Sequence, residues 1–401
     1  MEKIIFHIDV NNAFLSWTAI DLLNNGYKYD IRNSYAVIGG DPKARKGIVL
    51  AKSPLAKKLG IKTAMTLYEA KKKCKFLKIY PPNYKFYSMM SHKLFELLSK
   101  YTPDIEIASI DECYLDYGKV KNLYGDQYQF ALKLQKEIFE TLGFTVNIGI
   151  ANSKLCAKMA SDFSKPNKIH TLYDYEIKEK MYPLPIDRLF MIGRKTSEKL
   201  NSLGISTIAD LACFPHEKLY IYFKNQATFL INQAKGIDDS VVNSEISVPK
   251  GISNEITLEK DIINKDELYP YLMSLCETVS IRLRRQNKYT TVICVILKDN
   301  YFKRKSHQKK LANATNITGE IYKISKEILD EMWNNEAIRL IGVRLDKLIE
   351  NVNYQVSLFE ENNHKDDSKI DNVLDSLKQK YGNKIITKAS LKDDNKHYKG
   401  L

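Results

Sequence analysis

Short runs of apolar residues alternate along this chain with stretches in which apolar residues recur every three or four positions. The runs predict buried strands and the recurring stretches predict helices. KIIFHID, residues 3–9, predicts an opening strand that ends in an acid, and Asn11 or Asn12 is placed to cap the helix that follows. A hairpin over 34–51 and two short helices, the first capped by Ser53 with Pro54 at its first position, form a small insert after that strand.

From residue 77 the pattern predicts a regular alternation of strands and helices. Its members are strand 77–81, helix 83–101, strands 104–109 and 113–117, helix 125–142, strand 145–150 and helix 152–163. With the opening strand, this order suits an open α/β sheet with helices on one face, close to the split βαβ or ferredoxin-like arrangement. There the first strand lies beside the hairpin over 105–117, so Asp9 is expected next to Asp111 and Glu112, with all three carboxylates converging.

The rest of the chain divides into a helical region, a linker, an α/β unit and a tail. Residues 171–236 predict helices, and a tight turn at Ile192 and Gly193 opens one that ends at Gly204. This is the shape of a helix-hairpin-helix, whose turn directs N–H groups at phosphate, although a plain helical hairpin also fits. Residues 237–250 lack periodicity and predict a linker, and 251–350 predict a compact α/β unit. The polar tail after Leu348 is expected to be partly disordered.

Charge adds a polyanionic partner to this picture. The 401-residue chain has 62 Lys and Arg against 48 Asp and Glu, a formal net charge of +14. Nucleic acid and an acidic membrane surface are the partners that such a balance favours. The six cysteines include no CxxC pair and no cluster with histidine, which argues against zinc and disulfides and for a reducing cytoplasm. No apolar run approaches the roughly 18 residues of a membrane span, so a cytoplasmic protein without membrane contact is predicted.

Three clustered carboxylates need a cation, because like charges repel and raise one another's pKa. Oxygen ligands suit Mg²⁺ or Mn²⁺, and two such ions can clamp the attacking and leaving oxygens of a phosphoryl displacement. The alternative is an ordinary turn whose acids face water or pair with lysines. Lys57 and Lys165 are candidates to meet the phosphates of a nucleotide, although a lone lysine is usually a solvated surface residue.

Five motifs carry a resemblance to a known family. HIDVNNAF, AKSPLAKKLGIK, SIDECYLD, VNIGIANSKLCAKMASDFSKPN and IGRKTSEKLNSLGI, in this order, resemble the Y-family translesion DNA polymerases, which include bacterial polymerase IV and the polymerase V catalytic subunit. The resemblance implies an α+β multidomain right-hand polymerase. Its expected domains are a ferredoxin-like palm (1–12 and 76–170), small fingers (13–75), a helical thumb with the helix-hairpin-helix (171–236), a linker (237–250), an α/β little finger (251–350) and a tail (351–401).

The resemblance also implies roles in the active site. Asp9 and Asp111 are expected to bind two Mg²⁺ ions, replaceable by Mn²⁺, with the Val10 carbonyl, and Glu112 is the catalytic acid and a further ligand. Phe14 is expected as a steric gate against a ribose 2′-OH, and Lys57 and Lys165 as triphosphate contacts. Asn12 and Ala13 are expected to line the nucleotide pocket. Pro54 stands where many members have a triphosphate-binding Tyr, a contact that is lost or replaced by Ser53.

Other residues are expected to meet DNA or a partner protein. Gly193 and Lys195 lie at the thumb hairpin, where Met191 replaces a usual Gly. Lys303, Arg304, Lys305, Lys309 and Lys310 form a basic strand suited to a DNA backbone, whereas Arg282, Arg284 and Arg285 have no assigned role. QVSLF, residues 355–359, resembles the pentapeptide that docks bacterial polymerases on the sliding clamp through Gln355, Leu358 and Phe359.

The predicted function is therefore template-directed DNA synthesis, transferring a nucleotidyl group from a dNTP to a primer 3′-OH. Low fidelity, translesion synthesis in DNA repair and a monomer bound to primer–template DNA are expected. Two alternatives keep part of this picture: a palm-type nucleotidyl cyclase, and a DNA-binding accessory protein with a dead active site. The thumb hairpin and the basic last unit argue against the cyclase. The presence of all three acids and both lysines argues against the accessory protein.

Overall fold

The computed structural model describes residues 3–42, 45, 47–245, 249–350, 364–382 and 385–386. The chain forms two compact units, the first of residues 1–40 and 48–246 and the second of residues 41–47 and 247–401. The strands and helices of the first unit up to residue 172 are β1 (Ile5–Val10), α1 (Ala13–Asn24), β2 (Ala36–Gly39), β3 (Val49–Lys52), α2 (Pro54–Lys58), α3 (Leu67–Lys73), β4 (Lys78–Tyr80), α4 (Tyr84–Ser99), β5 (Ile105–Ile107), β6 (Glu112–Asp116), α5 (Lys121–Tyr124), α6 (Gln127–Leu142), β7 (Val146–Ala151), α7 (Lys154–Ser161) and β8 (Ile169–Leu172).

The main sheet of the first unit has five strands in the order β5-β6-β1-β7-β8. β1 is its central strand, antiparallel to both β6 and β7, and all six of its residues are buried. The predicted neighbourhood of the opening strand and the hairpin is therefore confirmed. Side chains of β1 alternate between the two faces, and Phe6, Ile8 and Val10 pack into one apolar core with residues of α1, α4 and α6.

The opposite face of this sheet carries α7, so the prediction that helices cover only one face is wrong. Gly149 on β7 explains the close packing of this helix. A Cβ atom there would lie 1.9 Å from the carbonyl oxygen of Ala157 and 2.6 Å from the backbone nitrogen of Ser161. Since only glycine leaves that space free, α7 lies directly against the sheet, on the face towards which His7 and Asp9 alternate.

The strand predicted over 77–81 does not join the main sheet, which corrects the predicted topology. β4 pairs in parallel with β2, completing a small sheet of order β3-β2-β4. Leu77 and the partly buried Ile79 cover the small core of the insert together with Val37, Val49 and Leu67. A two-stranded hairpin alone is marginally stable, and the third strand gives the insert a sheet able to cover its core.

Helices were predicted over 171–236. Residues 171 and 172 instead end the strand β8, and the remainder is mainly helical. The α-helices are α8 (Arg194–Ser202), α9 (Ile208–Cys213), α10 (His216–Phe223) and α11 (Gln226–Ala234). Gly193 occupies the N-cap position of α8, and the preceding turn holds Met191 at a positive φ of 70°. Met191 thus adopts a backbone conformation that favours glycine, where the family usually has one.

The second unit contains the predicted α/β arrangement. Its elements are β9 (Gly251–Ile262), α12 (Tyr269–Arg285), β10 (Tyr289–Asp299), β11 (Arg304–Thr315), α13 (Thr318–Met332), β12 (Ile338–Ile349) and α14 (His364–Tyr381). The antiparallel sheet has the order β11-β10-β12-β9, and one of its faces shares an apolar core with α12 and α13. The α+β multidomain prediction is confirmed.

The tail contains α14, a helix that is compatible with the expectation of only partial disorder. Arg284 Nη1 lies 2.9 Å from Asp371 Oδ2 and its Nε 2.7 Å from Asp375 Oδ2, and Lys378 pairs with Glu277 at 2.5 Å. These ion pairs fix α14 to α12. The QVSLF segment lies outside the described residues. Within those residues, no helix has the length and apolarity that crossing a bilayer requires.

Candidate active site

Backbone pairing places two of the three predicted acids together. Asp9 on β1 is the cross-strand partner of Glu112 on β6. The turn before β6 is joined to β1 by a hydrogen bond of 3.0 Å from the Val10 N–H to the Asp111 carbonyl. The Asp111 side chain accepts a hydrogen bond of 2.6 Å from the Ser109 hydroxyl. β1 and its neighbouring hairpin therefore fix the backbone of all three acids.

Two lysines neutralise the buried part of this site. Lys158 Nζ, on α7, lies 3.0 Å from Glu112 Oε2 and 3.4 Å from Asp9 Oδ2. Lys165 Nζ lies 3.0 Å from Asp9 Oδ1 and 2.8 Å from Asp162 Oδ1. Among the described residues no group of three or more His, Cys, Asp and Glu side chains is arranged to hold a metal, so the predicted convergence of three carboxylates is not formed. The lysine ammonium groups neutralise Asp9 and Glu112 instead.

Electrostatics separate the two central acids. Burial raises the pKa of Asp9 to about 6, although Lys165 and Lys158 act in the opposite direction. The pKa of Glu112 is held well below its usual range, chiefly by His7 and also by Lys158, against the effect of burial. Near neutral pH both carboxylates are thus mainly charged, but Asp9 is the one for which charge is costly.

A buried histidine on β1 lies next to Glu112. His7 is fully buried, and its Nδ1 lies 2.8 Å from the Ser161 hydroxyl. Its Nε2 lies 3.3 Å from Glu112 Oε2, without the alignment of a hydrogen bond. Burial lowers the pKa of His7. Sequence reasoning missed His7 and Lys158; the signal for His7 was its position two residues before Asp9, on the same face of β1.

The donors at this site fit divalent cations. Both oxygens of the Asp9 carboxylate face lysine ammonium groups, which balance its negative charge. Carboxylate oxygens and a backbone carbonyl such as that of Val10 are the ligands that Mg²⁺ and Mn²⁺ prefer. The chemistry of the donor set therefore suits such ions once an ammonium group withdraws.

The predicted nucleotide-pocket residues follow β1 directly. Phe14 is partly buried and stacks on Tyr87, with ring centroids 4.8 Å apart and planes at 10°. Ala13 is buried, whereas Asn12 is exposed and adopts a left-handed conformation with φ of 50°. The prediction that the Asn12 side chain caps α1 is wrong, because it makes no capping hydrogen bond. Its amide donates a hydrogen bond of 2.7 Å to the Lys52 carbonyl, which ties the start of α1 to β3.

Ser53 is poorly placed to replace the tyrosine with which many family members contact the triphosphate. Its hydroxyl is fully buried and accepts hydrogen bonds from the Ala36 and Ala56 N–H groups, so it caps α2. Lys57 is exposed on α2. Lys52, which sequence reasoning missed, donates a hydrogen bond of 2.9 Å to the Thr63 hydroxyl, and its pKa is lowered by burial and by repulsion from Lys57. Two lysines thus lie near one another at this edge of the insert.

The basic strand β11 is less free than predicted. Arg304 pairs with Glu255, Lys305 with Glu336, and Lys309 with Glu331 and Glu327. Lys303 and Lys310 are exposed and form no ion pair with any residue that the structure describes. In the first unit Gly193 and Lys195 are also exposed. Of the three arginines without a role, Arg284 fixes α14, Arg282 donates to the Ser253 carbonyl, and Arg285 is exposed.

A sheet that presents paired carboxylates beside lysines, followed by a helical hairpin and a basic α/β unit, defines a class of enzymes that transfer nucleotidyl groups on nucleic acid. Comparison with known proteins matches three parts of the chain to models of one family. The impB/mucB/samB family matches residues 8–162, its C-terminal domain residues 249–358, and the helix-hairpin-helix motif of the same family residues 175–205.

Relatives and solved structures agree with these matches. The chain is 44% identical over 392 residues to DNA polymerase IV of Clostridium acetobutylicum, covering 98% of each chain. It is 32% identical to DNA polymerase IV 1 of Bacillus subtilis, covering all of this chain and 96% of the other. A Y-family polymerase chimera of Dbh and Dpo4 matches with a TM-score of 0.76 at 27% identity, over 87% of this chain and 100% of the chimera.

The chain therefore belongs to the impB/mucB/samB family, the Y-family DNA polymerases. It is a DNA-directed DNA polymerase of the translesion class, as the five motifs predicted. Dependence on a divalent cation is general to such enzymes.

Proposed function

We propose that this enzyme extends a primer 3′-OH on a DNA template with two divalent cations, Mg²⁺ or in its place Mn²⁺, held by Asp9, Asp111, Glu112 and the Val10 carbonyl. The observation that supports this proposal is the cross-strand pair of Asp9 and Glu112, whose charge is already matched by ammonium groups. The bound cations supply charge stabilisation at the attacking and leaving oxygens. The strands β1 and β6 supply a rigid frame for the carboxylates.

Lys165 is the lysine best placed to exchange its contact with Asp9 for one with the triphosphate. Its side chain is 37% exposed, whereas the Asp9 carboxylate that it neutralises is 9% exposed. An exposed lysine exchanges partners at low cost, so Lys165 releases Asp9 to the metal and meets the phosphates. Lys57, with Lys52 beside it, supplies further positive charge. Lys52, rather than Ser53, replaces the tyrosine contact to the triphosphate.

Phe14 acts as the steric gate for the sugar. Its ring is held against Tyr87 and cannot easily tilt, since Tyr84 contacts it edge-on with centroids 6.1 Å apart. A rigid ring excludes a ribose 2′-OH better than a mobile one. Asn12 and Ala13, at the start of α1, line the same pocket, with Asn12 holding β3 in place.

The remaining domains hold DNA without reading its sequence. In the proposed assignment, residues 1–12 and 76–170 form the palm, except that β4 belongs to the sheet of the fingers. Residues 13–75 form the fingers, 171–236 the thumb and 251–350 the little finger. Gly193 and Lys195 contact the backbone through the thumb hairpin, and Lys303, Arg304 and Lys305 through the little finger. Such contacts give affinity that falls as salt concentration rises.

Gln355, Leu358 and Phe359 are proposed to dock a cytoplasmic monomer on the sliding clamp. The support is the sequence QVSLF alone, which follows the last strand of the little finger. Replacing these three residues by alanine should abolish clamp binding, measured by surface plasmon resonance, while primer extension without the clamp is unchanged. Retained clamp affinity would remove the motif from the proposal.

Primer extension tests the central proposal. A labelled primer on a template, with dNTPs and Mg²⁺, should be extended by the wild-type chain and lengthened far less by Glu112→Gln, Asp111→Asn or Asp9→Asn. Glu106→Gln is a matched control, because Glu106 lies on the neighbouring strand β5 and pairs with Lys154 rather than with the site. Absence of extension by the folded wild type would favour an accessory protein. Cyclic nucleotide formed without template would favour a cyclase.

A further inference from the structure

Lys158 lies at the centre of the site but has no role in the proposed binding of metal or nucleotide. Its Nζ lies within 3.5 Å of three carboxylates, those of Glu112, Asp9 and Asp162. Only 10% of its side chain is exposed, compared with 37% for Lys165. The two lysines of the site are therefore different in kind: one can leave for solvent or substrate and the other cannot.

Burial of an ammonium group is costly, and the surroundings of Lys158 offset that cost. Burial acts to lower its pKa, but attraction to Asp9, Asp162 and Glu112 raises the pKa overall, so the side chain stays charged. The close approach of α7 at Gly149 brings this helix against the sheet. Ser161, one turn later on α7, accepts from His7 and donates to the Lys158 carbonyl at 2.8 Å. The lysine is thus part of a fixed layer beneath the acids.

The closest contacts of this layer to Glu112 are to one carboxylate oxygen. Oε2 lies 3.0 Å from Lys158 Nζ and 3.3 Å from His7 Nε2. For Asp9 the buried lysine contacts Oδ2, and Oδ1 faces the exposed Lys165. On each acid the closest contact from α7 is therefore to a single oxygen, Oε2 of Glu112 and Oδ2 of Asp9.

We propose that Lys158 is a positioning residue for the polymerase reaction: it fixes Glu112 Oε2 and Asp9 Oδ2 to α7 and leaves the other oxygen of each carboxylate for the metals. The inference rests on the proposed metal site. It has two consequences that differ in sign. As a fixed positive charge, Lys158 weakens the binding of divalent cations, and as a fixed anchor it makes the bound arrangement productive.

Lys158→Met separates these consequences, since methionine keeps much of the volume and removes the charge. Without DNA or nucleotide, the variant should bind Mn²⁺ about tenfold more tightly than wild type, measured by electron paramagnetic resonance of free Mn²⁺, because a repelling charge is gone. In single-nucleotide incorporation its kcat should fall by about 10- to 100-fold, with KM for dNTP little changed, because the carboxylates lose their anchor.

Lys158→Arg and Lys154→Met complete the test. Arginine keeps the charge with another shape, so Mn²⁺ affinity should match wild type while kcat still falls. Lys154 lies on the same helix, is also largely buried and pairs with Glu106, so Lys154→Met should leave Mn²⁺ affinity and kcat near wild type. Circular dichroism checks that each variant folds.

Unchanged Mn²⁺ affinity in Lys158→Met, or unchanged kcat in both Lys158 variants, would overturn the positioning role. Failure of the metal site itself gives a different result. In that case Asp9→Asn binds Mn²⁺ as well as wild type does, whatever residue stands at position 158.

Discussion

Lys165 Nζ lies 3.0 Å from Oδ1 of Asp9, yet the pKa of this carboxyl is still raised to about 6. Burial therefore outweighs the attraction of the ammonium group. A carboxyl whose folded pKa exceeds its unfolded value favours folding while it is protonated. That contribution is complete below the unfolded pKa, which is about 4, and is lost as the pH rises through about 6.

Asp9→Asn should therefore stabilise the chain in the absence of divalent cations. The expected gain in free energy of unfolding is on the order of 2 kcal/mol at about pH 7.5, and it should shrink as the pH falls towards 4. Thermal melting in a chelating buffer across this range measures it. If the variant melts lower than wild type at neutral pH, the lysine pairs outweigh burial, and the direction of the pKa shift is wrong.

Gly149→Ala should disrupt the site from behind the sheet. The added methyl group meets the backbone of α7 and has no flexible side chain to displace. We expect a loss of about 1–3 kcal/mol in stability and a larger loss of primer extension, since α7 carries Lys158. Gly319→Ala is the matched control, because no atom lies within 4 Å of a Cβ built there. Equal melting of Gly149→Ala and wild type would contradict the close approach.

Phe14→Ala should weaken discrimination against ribonucleotides. The measurement is the ratio of kcat/KM for a dNTP to that for the matching rNTP in single-nucleotide incorporation. Removal of the ring opens the space for a 2′-OH, so this ratio should fall by about 100-fold or more, the order expected from relieving a steric clash. Phe14→Tyr, which keeps the ring stacked on Tyr87, should stay near wild type. An unchanged ratio in the alanine variant would refute the gate.

Lys310→Ala should reduce DNA affinity more than Lys309→Ala does. The two lysines are neighbours on β11, but Lys309 pairs with Glu331 at 2.6 Å, whereas Lys310 is exposed and forms no ion pair within the described structure. A free cation that meets a phosphate contributes about one unit to the slope of log affinity against log salt concentration. Fluorescence anisotropy at several salt concentrations gives both slopes. A steeper loss for Lys309→Ala would show that its ion pair opens on DNA.

Arg284→Ala should release α14. Arg284 and Asp371 are both less than one-tenth exposed, and removing one partner of such a pair typically costs about 3–5 kcal/mol. Hydrogen exchange should then increase throughout α14 but not in β10 or β12. Arg285→Ala is the control, because this neighbouring arginine is exposed. Unchanged exchange in α14 would show that other contacts hold the helix.

The pairing of Asp9 with Glu112 could be predicted because it follows from strand order and a period of two. Lys158 could not, since a lysine within a helix gives no sign of burial and its partners lie on two distant strands. The hydrophobic pattern also could not identify the strand with which β4 pairs. A strand of three residues could join either sheet of the first unit. The apolar core of the insert determines that β4 joins the smaller one.

The tail shows another limit of sequence reasoning. Ile370, Val373, Leu374, Leu377 and Tyr381 form an apolar series along α14, and such a series predicts the buried side of a helix. In the structure Leu374 and Leu377 are only partly buried and the other three are exposed. Asp371 and Lys378 are buried instead. Ion pairs depend on single distant partners and have no periodic signature, so the orientation of this helix could not be read from its sequence.

The docking of α14 also sets where this chain can be cut. The family match ends at residue 358, and a fragment ending there would look complete by sequence. It would, however, retain Arg284 without Asp371 and Asp375, and Glu277 without Lys378. We therefore expect a fragment that extends through residue 382 to be more stable than one that ends at residue 358, because it keeps these ion pairs.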